Sequence, residues 1–360
     1  MTESLLVAVA AGAAPDITAE TMVAGLPLGR RLALAGARAG LASAPSSESG
    51  RRRLILVPCN VIPQPRWLRA LAVMPLAPET FWVDPAQVAV VDTDDPKPVL
   101  DAAGRAGTVA ECLAALGERF TTVEGNADDK GRFAVGTAGD LRGAESWLLR
   151  GLIKDTEGFM SRHVERVISL ALTRHLVWTS ITPNAMTLVS LAIGLAAAPF
   201  FLSSAPGWQL AGALLFLLHS ILDGCDGEIA RLKFLESPGG AALDFWGDNT
   251  VHVAVFGCMG VGWSVSAHSA WPLAVAALAV ASTLAAAFVV APRMVSPSAA
   301  AAPRSAGARA ADALANRDFI YLIIALAAFG KSAWFLVLVA VGTPVFVLLR
   351  LWADRRQGSV

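Results

Sequence analysis

LDGCDGEIARLKFLESPGGAALDFWGD, residues Leu222 to Asp248, is the stretch on which the reading of this chain turns. It sets four carboxylates, Asp223, Asp226, Asp244 and Asp248, at i,i+3 and i,i+4 intervals, so each pair shares one helix face. The apolar stretch before it, Trp208–Leu222, is only 15 residues long. That is about 22 Å of helix against a hydrocarbon core of ~30 Å, which places Asp223 inside the membrane plane. The apolar stretch after Asp248 is similarly short. The two acidic pairs are therefore expected at one depth on neighbouring helices.

Outward from the motif, hydropathy predicts six spans at about 184–203, 207–225, 244–265, 271–291, 318–332 and 333–352, the fifth short by the ~20-residue rule. Of the 360 residues, 55% are hydrophobic and 16% charged, against about 25% charged in soluble chains. Arg231 and Lys233 follow the second span. Arg293, Arg304, Arg309 and Arg317 follow the fourth, and Arg350, Arg355 and Arg356 the sixth. The opposite loops hold only Lys331. Positive-inside bias thus predicts a multi-pass protein of the inner, cytoplasmic membrane, with both termini and the acidic segment facing the cytoplasm. Loop Ser296–Ala315 is rich in Ala, Ser and Pro.

Four carboxylates converging at membrane depth are costly unless something positive neutralises them. An oxygen-only donor set suits Mg²⁺, Mn²⁺ or Ca²⁺, and two such ions facing a pyrophosphate form an arrangement that stabilises phosphoryl transfer. A set of solvated helix-end aspartates explains one or two of these acids. It does not explain four, together with Gly227, Ala230, Arg231 and Gly240 at fixed offsets. Ion carriage by a non-enzymatic transporter is the alternative from another class, and it has no need for those last four residues. The formal net charge is zero, so no global basic field suggests nucleic acid as a partner.

The eight positions D-x2-D-G-x2-A-R-x8-G-x3-D-x3-D are all present, and the string resembles the signature of the CDP-alcohol phosphotransferase (CDP-alcohol phosphatidyltransferase) family. The resemblance covers about Ala144–Trp352 and includes Thr182-Pro183-Asn184 at the head of the first span. It implies an α-helical membrane protein with six transmembrane helices preceded by a soluble α/β domain, a CDP-alcohol donor, an alcohol acceptor and a cofactor of Mg²⁺ or Mn²⁺, two ions. It also implies Asp223, Asp226 and Asp244 as metal ligands and Asp248 as both ligand and general base. Gly227 and Ala230 would admit the cytidine closely and Arg231 would meet its phosphates, with Gly240, Thr182, Pro183 and Asn184 completing the CDP site. The implied reaction moves a phosphoalcohol (phosphatidyl or phosphopolyol) group to the acceptor hydroxyl and releases CMP. That would serve phospholipid or inositol-phosphodiester synthesis. Members of the family often dimerise, though no helix face here demonstrates a homodimer.

Further candidates surround this set. His219 lies one turn before Asp223 and His252 one turn after Asp248, on the acidic faces, either bonded to a carboxylate or simply buried in the bundle. Arg162, Arg166, Arg174 and Lys233 are candidates for an acceptor phosphate, with lipid headgroups as the competing partner. The first three lie in Glu145–Trp178, where apolar residues at helical spacing alternate with cations, which suits an amphipathic helix at the membrane surface.

Residues 1–143 read as α/β. Leu5–Ala10, Leu54–Pro58 and Val88–Val91 have the composition of buried parallel strands, while Gly29–Leu41 and Val99–Leu116 are helical in pattern. The N-terminus carries Glu3 rather than a positive n-region, so Leu5–Ala14 reads as a strand rather than a signal sequence. The four cysteines have no paired spacing, which excludes a CxxC site. Val23–Leu41 resembles the opening of sugar-nucleotide and inositol-phosphate cytidylyltransferases, and Leu148–Arg174 resembles the branch in which such domains are fused to this membrane domain, the bifunctional di-myo-inositol-phosphate-phosphate synthases. Yet Ala11–Asp16 offers one Gly where the nucleotide loop needs several, and no Lys precedes Lys97. A degenerate, inactive nucleotidyltransferase-like domain is expected; a bifunctional enzyme with a live cytidylyltransferase half is the alternative. Asp92, Asp94 and Asp95 are either a metal site or a solvated turn.

Overall fold

The computed structural model describes residues 3–10, 16–43, 52–125, 129–153, 158–295 and 319–357. The chain divides into two compact units, Met1–Gly151 and Leu152–Val360. The boundary falls inside the stretch 144–180 read from the sequence as one interfacial region.

In the first unit, strands β1 (Glu3–Val9), β4 (Arg52–Pro58), β6 (Thr80–Val83), β7 (Ala89–Thr93) and β8 (Thr121–Glu124) form one sheet in the order β1-β4-β7-β6-β8. Small two-stranded ladders join β2 (Met22–Val23) to β3 (Leu26–Pro27) and β5 (Val61–Pro63) to β9 (Arg132–Ala134). Strand β1 runs parallel to β4 with Leu5 opposite Leu54, as expected. Strand β7, however, runs antiparallel to β4, with Leu54 opposite Val91. The correction has a physical reason. A continuous apolar run reports burial on both faces, and every residue of β4 is buried; it does not report direction.

Helices α1 (Leu28–Ala39), α2 (Pro65–Val73), α3 (Lys97–Arg105), α4 (Val109–Gly117) and α5 (Leu141–Arg150) complete the unit. The single helix expected over Val99–Leu116 is broken into α3 and α4. Thr108 caps α4 by accepting from the Glu111 amide at 3.2 Å, and Glu111 accepts from the Gly107 amide at 2.9 Å, so two polar side chains satisfy a helix start there. Asp92 is not a candidate ligand in this fold. Its carboxylate takes a two-pronged bond from the buried Arg53, 2.7 Å at each oxygen. The remaining Arg53 nitrogen donates to the Leu71, Ala72 and Met74 carbonyls at the end of α2, satisfying groups that a helix C-terminus leaves open. Arg31 is buried too and donates to the Val23 and Ala24 carbonyls at 2.8 and 3.0 Å; burial pushes its guanidinium down to about 10. Most of the segment Ala11–Asp16 lies outside the described residues.

The second unit is helical. A π-turn at Ser161–Glu165 leads into α6 (Arg166–Leu176), followed by α7 (Pro183–Ala197), α8 (Pro206–Lys233), α9 (Pro238–Ala267), α10 (Trp271–Val295), α11 (Phe319–Ala328) and α12 (Ser332–Gln357). Five of these segments are long and apolar enough to cross a membrane, with α7 continued to Leu202 by a 3-10 turn. The fifth expected span is represented by α11, 10 described residues that adjoin residues outside the description. Sequence reading stops the second span near 225 and starts the third near 244. The helices themselves run past these limits, α8 to Lys233 and α9 from Pro238, and carry the two acidic pairs on helix faces as the spacing predicts. Phe234, in the left-handed conformation at φ 56°, ends α8. Ser237 caps α9, accepting from the Gly240 amide at 3.0 Å, with Pro238 in the first helical position. This short reversal sets the two acidic faces against each other. Phe201, Phe216, Val251, Val255, Phe256, Ile323 and Phe335 form the apolar centre of the bundle.

Helix α6 is amphipathic in an unexpected sense. Glu165, Ser169 and Thr173 are buried, whereas Val167, Ile168 and Leu172 are exposed. Its polar face is turned into the bundle and its apolar face outward.

Candidate active site

Helices α7, α8 and α9 bring the acids together. One carboxylate oxygen from each of Asp223, Asp226 and Asp244 lies within 4.8 Å of the other two. Asp223 and Asp226 are 5% exposed. Three like charges at that spacing repel by roughly 3 kcal/mol per pair at an effective dielectric of ~20. Asp244 Oδ1 is buried without a hydrogen-bond partner. Crowded, buried carboxylate oxygens with one orphaned atom are what a hard divalent cation satisfies, so the donor set fits the metal that the motif implies.

Asp248 stands slightly apart, with its side chain 24% exposed and Oδ1 3.4 Å from His219 Nε2. His219 Nδ1 is 2.9 Å from the Ser190 carbonyl. A carbonyl only accepts, so Nδ1 carries the proton and Nε2 is turned to Asp248. His252 instead packs against Phe216, Phe256 and Phe319.

Beside the acids is a polar cavity of about 180 Å³ whose wall includes Pro183, Asn184, Thr187, Asp226, Gly227, Ala230, Arg231, Ser237, Gly240 and Asp244. The N-termini of both α7 and α9 open onto it, and their dipoles favour an anion. Two glycines of this wall are closely approached by polar side chains. A Cβ on Gly227 would stand 3.1 Å from Arg231 Nη1, and one on Gly240 would stand 3.0 Å from Asn184 Oδ1. Thr182 serves as the N-cap of α7, accepting from the Ala185 amide at 3.2 Å.

The outer cations separate. Arg166 Nη1 donates to Glu228 Oε1 at 2.7 Å, and Lys233 Nζ donates to the Thr179 carbonyl at 2.8 Å. Arg162 is half-buried and Arg174 exposed. Two residues that matter escaped the sequence reading. Thr187 Oγ1 donates to Asp226 Oδ2; it lies one turn after Pro183, a signal only once α7 is known to meet α8. Glu228, fully buried, accepts from Arg166, from Ser169 Oγ at 2.7 Å and from Thr173 Oγ1 at 2.6 Å. A charged residue inside an apolar helix was the available signal, since such a residue is rare without a partner.

Residues 180–310 match the family model described as CDP-alcohol phosphatidyltransferase. Among curated relatives, the bifunctional IPC transferase and DIPP synthase of Thermococcus kodakarensis is 41% identical over 118 residues, 32% of this chain and 26% of the relative. The protein of the same description from Rubrobacter xylanophilus is 37% identical over 148 residues, 40% of this chain and 33% of the relative. The chain thus spans about a quarter to a third of these relatives' length. Among solved structures, a phosphatidylinositol phosphate synthase of Mycobacterium tuberculosis with CDP-DAG bound is 18% identical. It aligns over 52% of this chain and 93% of that one, at a TM-score of 0.38.

Proposed function

We propose that the membrane unit transfers a phosphoalcohol group from a CDP-alcohol to an acceptor alcohol, releasing CMP, at a site facing the cytoplasm. The observation that carries this reading is the three-carboxylate cluster of Asp223, Asp226 and Asp244, two of whose members, Asp226 and Asp244, line a cavity onto which two helix N-termini and Arg231 converge. Asp223, Asp226 and Asp244 would hold Mg²⁺ or Mn²⁺, two ions with Asp248 as a further ligand; bound there, the metal neutralises charge developing on the transferred phosphate. Arg231 and the N-terminal dipoles of α7 and α9 hold the pyrophosphate, while Gly227, Ala230 and Gly240 leave room for the nucleoside. Thr187 fixes the Asp226 carboxylate. Asp248 takes the proton from the acceptor hydroxyl, oriented by its contact with His219.

The test is CMP release by the purified full chain from a panel of CDP-alcohols, including CDP-diacylglycerol and a soluble CDP-polyol. Release is expected with Mg²⁺ or Mn²⁺ and is lost on chelation. Absence of release across the panel would favour an ion transporter.

For the first unit we propose a degenerate nucleotidyltransferase-like domain, residues 1–143, without catalysis. Arg31 and Arg53, buried cations of this unit, are committed to backbone carbonyls and to Asp92. The full chain given CTP and inositol phosphate is expected to form no CDP-alcohol; robust formation overturns this assignment.

A further inference from the structure

In the first unit the two helical layers differ in charge. Leu5, Leu54 and Val91 pack with Val99, Cys112 and Leu116 of α3 and α4 on one side of the sheet. Their neighbours along each strand point to the other side. There Gly36 of α1 lies directly against Leu6, Arg53 donates to the carbonyls that end α2, and α1 packs on α2. The α3/α4 layer is mixed in charge, with Arg105 3.3 Å from Asp101 and Arg119 4.0 Å from Asp95. Neither α1 nor α2 contains an Asp or a Glu. With Leu28 and Leu32 of α1 and Leu68 and Leu71 of α2 buried, the residues left outward include Arg30, Ala33, Ala37 and Arg38 on α1. On α2 they include Arg66, Arg69, Ala70 and Val73. Four exposed arginines thus share one layer with alanines and with Val73, which is 80% exposed.

The chain leaves the unit beside this layer. A Cβ on Gly151, which ends α5, would stand 3.5 Å from Gln64 Nε2 at the head of α2, and Gln64 Oε1 accepts from Arg66 Nε at 2.6 Å. Helical structure of the second unit begins at Phe159, eight residues after Gly151, and eight residues span less than about 30 Å. We infer that the outer face of α1 and α2 docks on the anionic surface of the bilayer, its arginines against lipid phosphates and Val73 at the acyl boundary. A basic residue near such a surface strengthens binding about fivefold, and a short tether holds the face at high effective concentration. A soluble phosphate fits the face less well. Arg30 and Arg38 stand eight positions apart on α1, about 12 Å along the axis, so one phosphate group cannot meet both, whereas a layer of headgroups meets all four. Val73 and the alanines gain nothing from a soluble anion, but lose water favourably at a lipid boundary.

The test is phenylglyoxal modification of arginines in the full chain, held in nanodiscs of phosphatidylcholine alone or of phosphatidylcholine with phosphatidylglycerol, and read residue by residue by mass spectrometry. Arg30, Arg66 and Arg69 are expected to react at least about fivefold more slowly in the anionic discs. Arg105 and Arg119, on the α3/α4 layer, should react equally in both. Salt at about 1 M, where the screening length falls to about 3 Å, is expected to abolish the difference. The double variant Arg66→Glu, Arg69→Glu changes only exposed side chains, and in it Arg30 should react in anionic discs as fast as in neutral ones. Equal rates for Arg30, Arg66 and Arg69 in the two lipids overturn the inference, as does equal slowing of Arg105 and Arg119. Protection of Arg66 and Arg69 in neutral discs by millimolar inorganic phosphate or pyrophosphate, with no effect of phosphatidylglycerol, would assign the face to a soluble anion and overturn it as well.

Discussion

Asp248→Asn is expected to lower CMP release by about 10²–10⁴-fold, the range for loss of a positioned general base, while the protein remains in the membrane in normal amount. Asparagine keeps the shape and removes the basic oxygen. Asp248 differs from the other three acids in standing outside the tight cluster and in meeting His219 Nε2 at 3.4 Å, so its replacement leaves the three-carboxylate donor set intact. Metal-dependent binding of a non-reacting CDP-alcohol analogue should be weakened in Asp248→Asn, which loses one ligand, and lost in Asp226→Asn, which breaks the three-carboxylate donor set. Near-normal turnover in Asp248→Asn would remove Asp248 from the base role.

The second large effect concerns stability. Glu228 is fully buried and accepts from Arg166, Ser169 and Thr173. Replacing it with alanine leaves the partly buried guanidinium and two hydroxyls without their acceptor, and breaking such a buried pair costs about 3–5 kcal/mol. The measurement is thermal unfolding in detergent, where Glu228→Ala should melt well below the parent. Removing both charges tells the pair apart from the packing. Glu228→Gln combined with Arg166→Met is expected to recover most of the loss, since apolar or neutral replacements of a whole buried pair are often near neutral. A double variant as unstable as Glu228→Ala would mean that side-chain volume, not charge, holds α6 to α8.

The sequence carried much of this site because its geometry is local. Asp223 with Asp226, and Asp244 with Asp248, share helix faces by spacing alone, and a reversal of fixed length between α8 and α9 brings the faces together. What depends on distant chain was not readable. Thr187 reaches Asp226 across 39 positions and Arg166 reaches Glu228 across 62; no periodicity announces either. Spacing placed Arg166 and Lys233 at the edge of the site as candidates, but only packing showed that one grips Glu228 and the other the Thr179 carbonyl. In the first unit, apolar runs located β1, β4 and β7 but could not orient β7, because burial on both faces looks the same in either direction.

The reversed amphipathicity of α6 has a bearing on the order of assembly during synthesis. Val167, Ile168 and Leu172 face outward while Glu165, Ser169 and Thr173 face α8, yet α8 emerges from the ribosome some 60 residues after α6. Until then the outer face has no apolar surroundings except lipid, and the inner face has no protein partner. Before α8 is made, Ser169 and Thr173 have only water to bond to, and Glu228 takes the place of that water when α8 packs against α6.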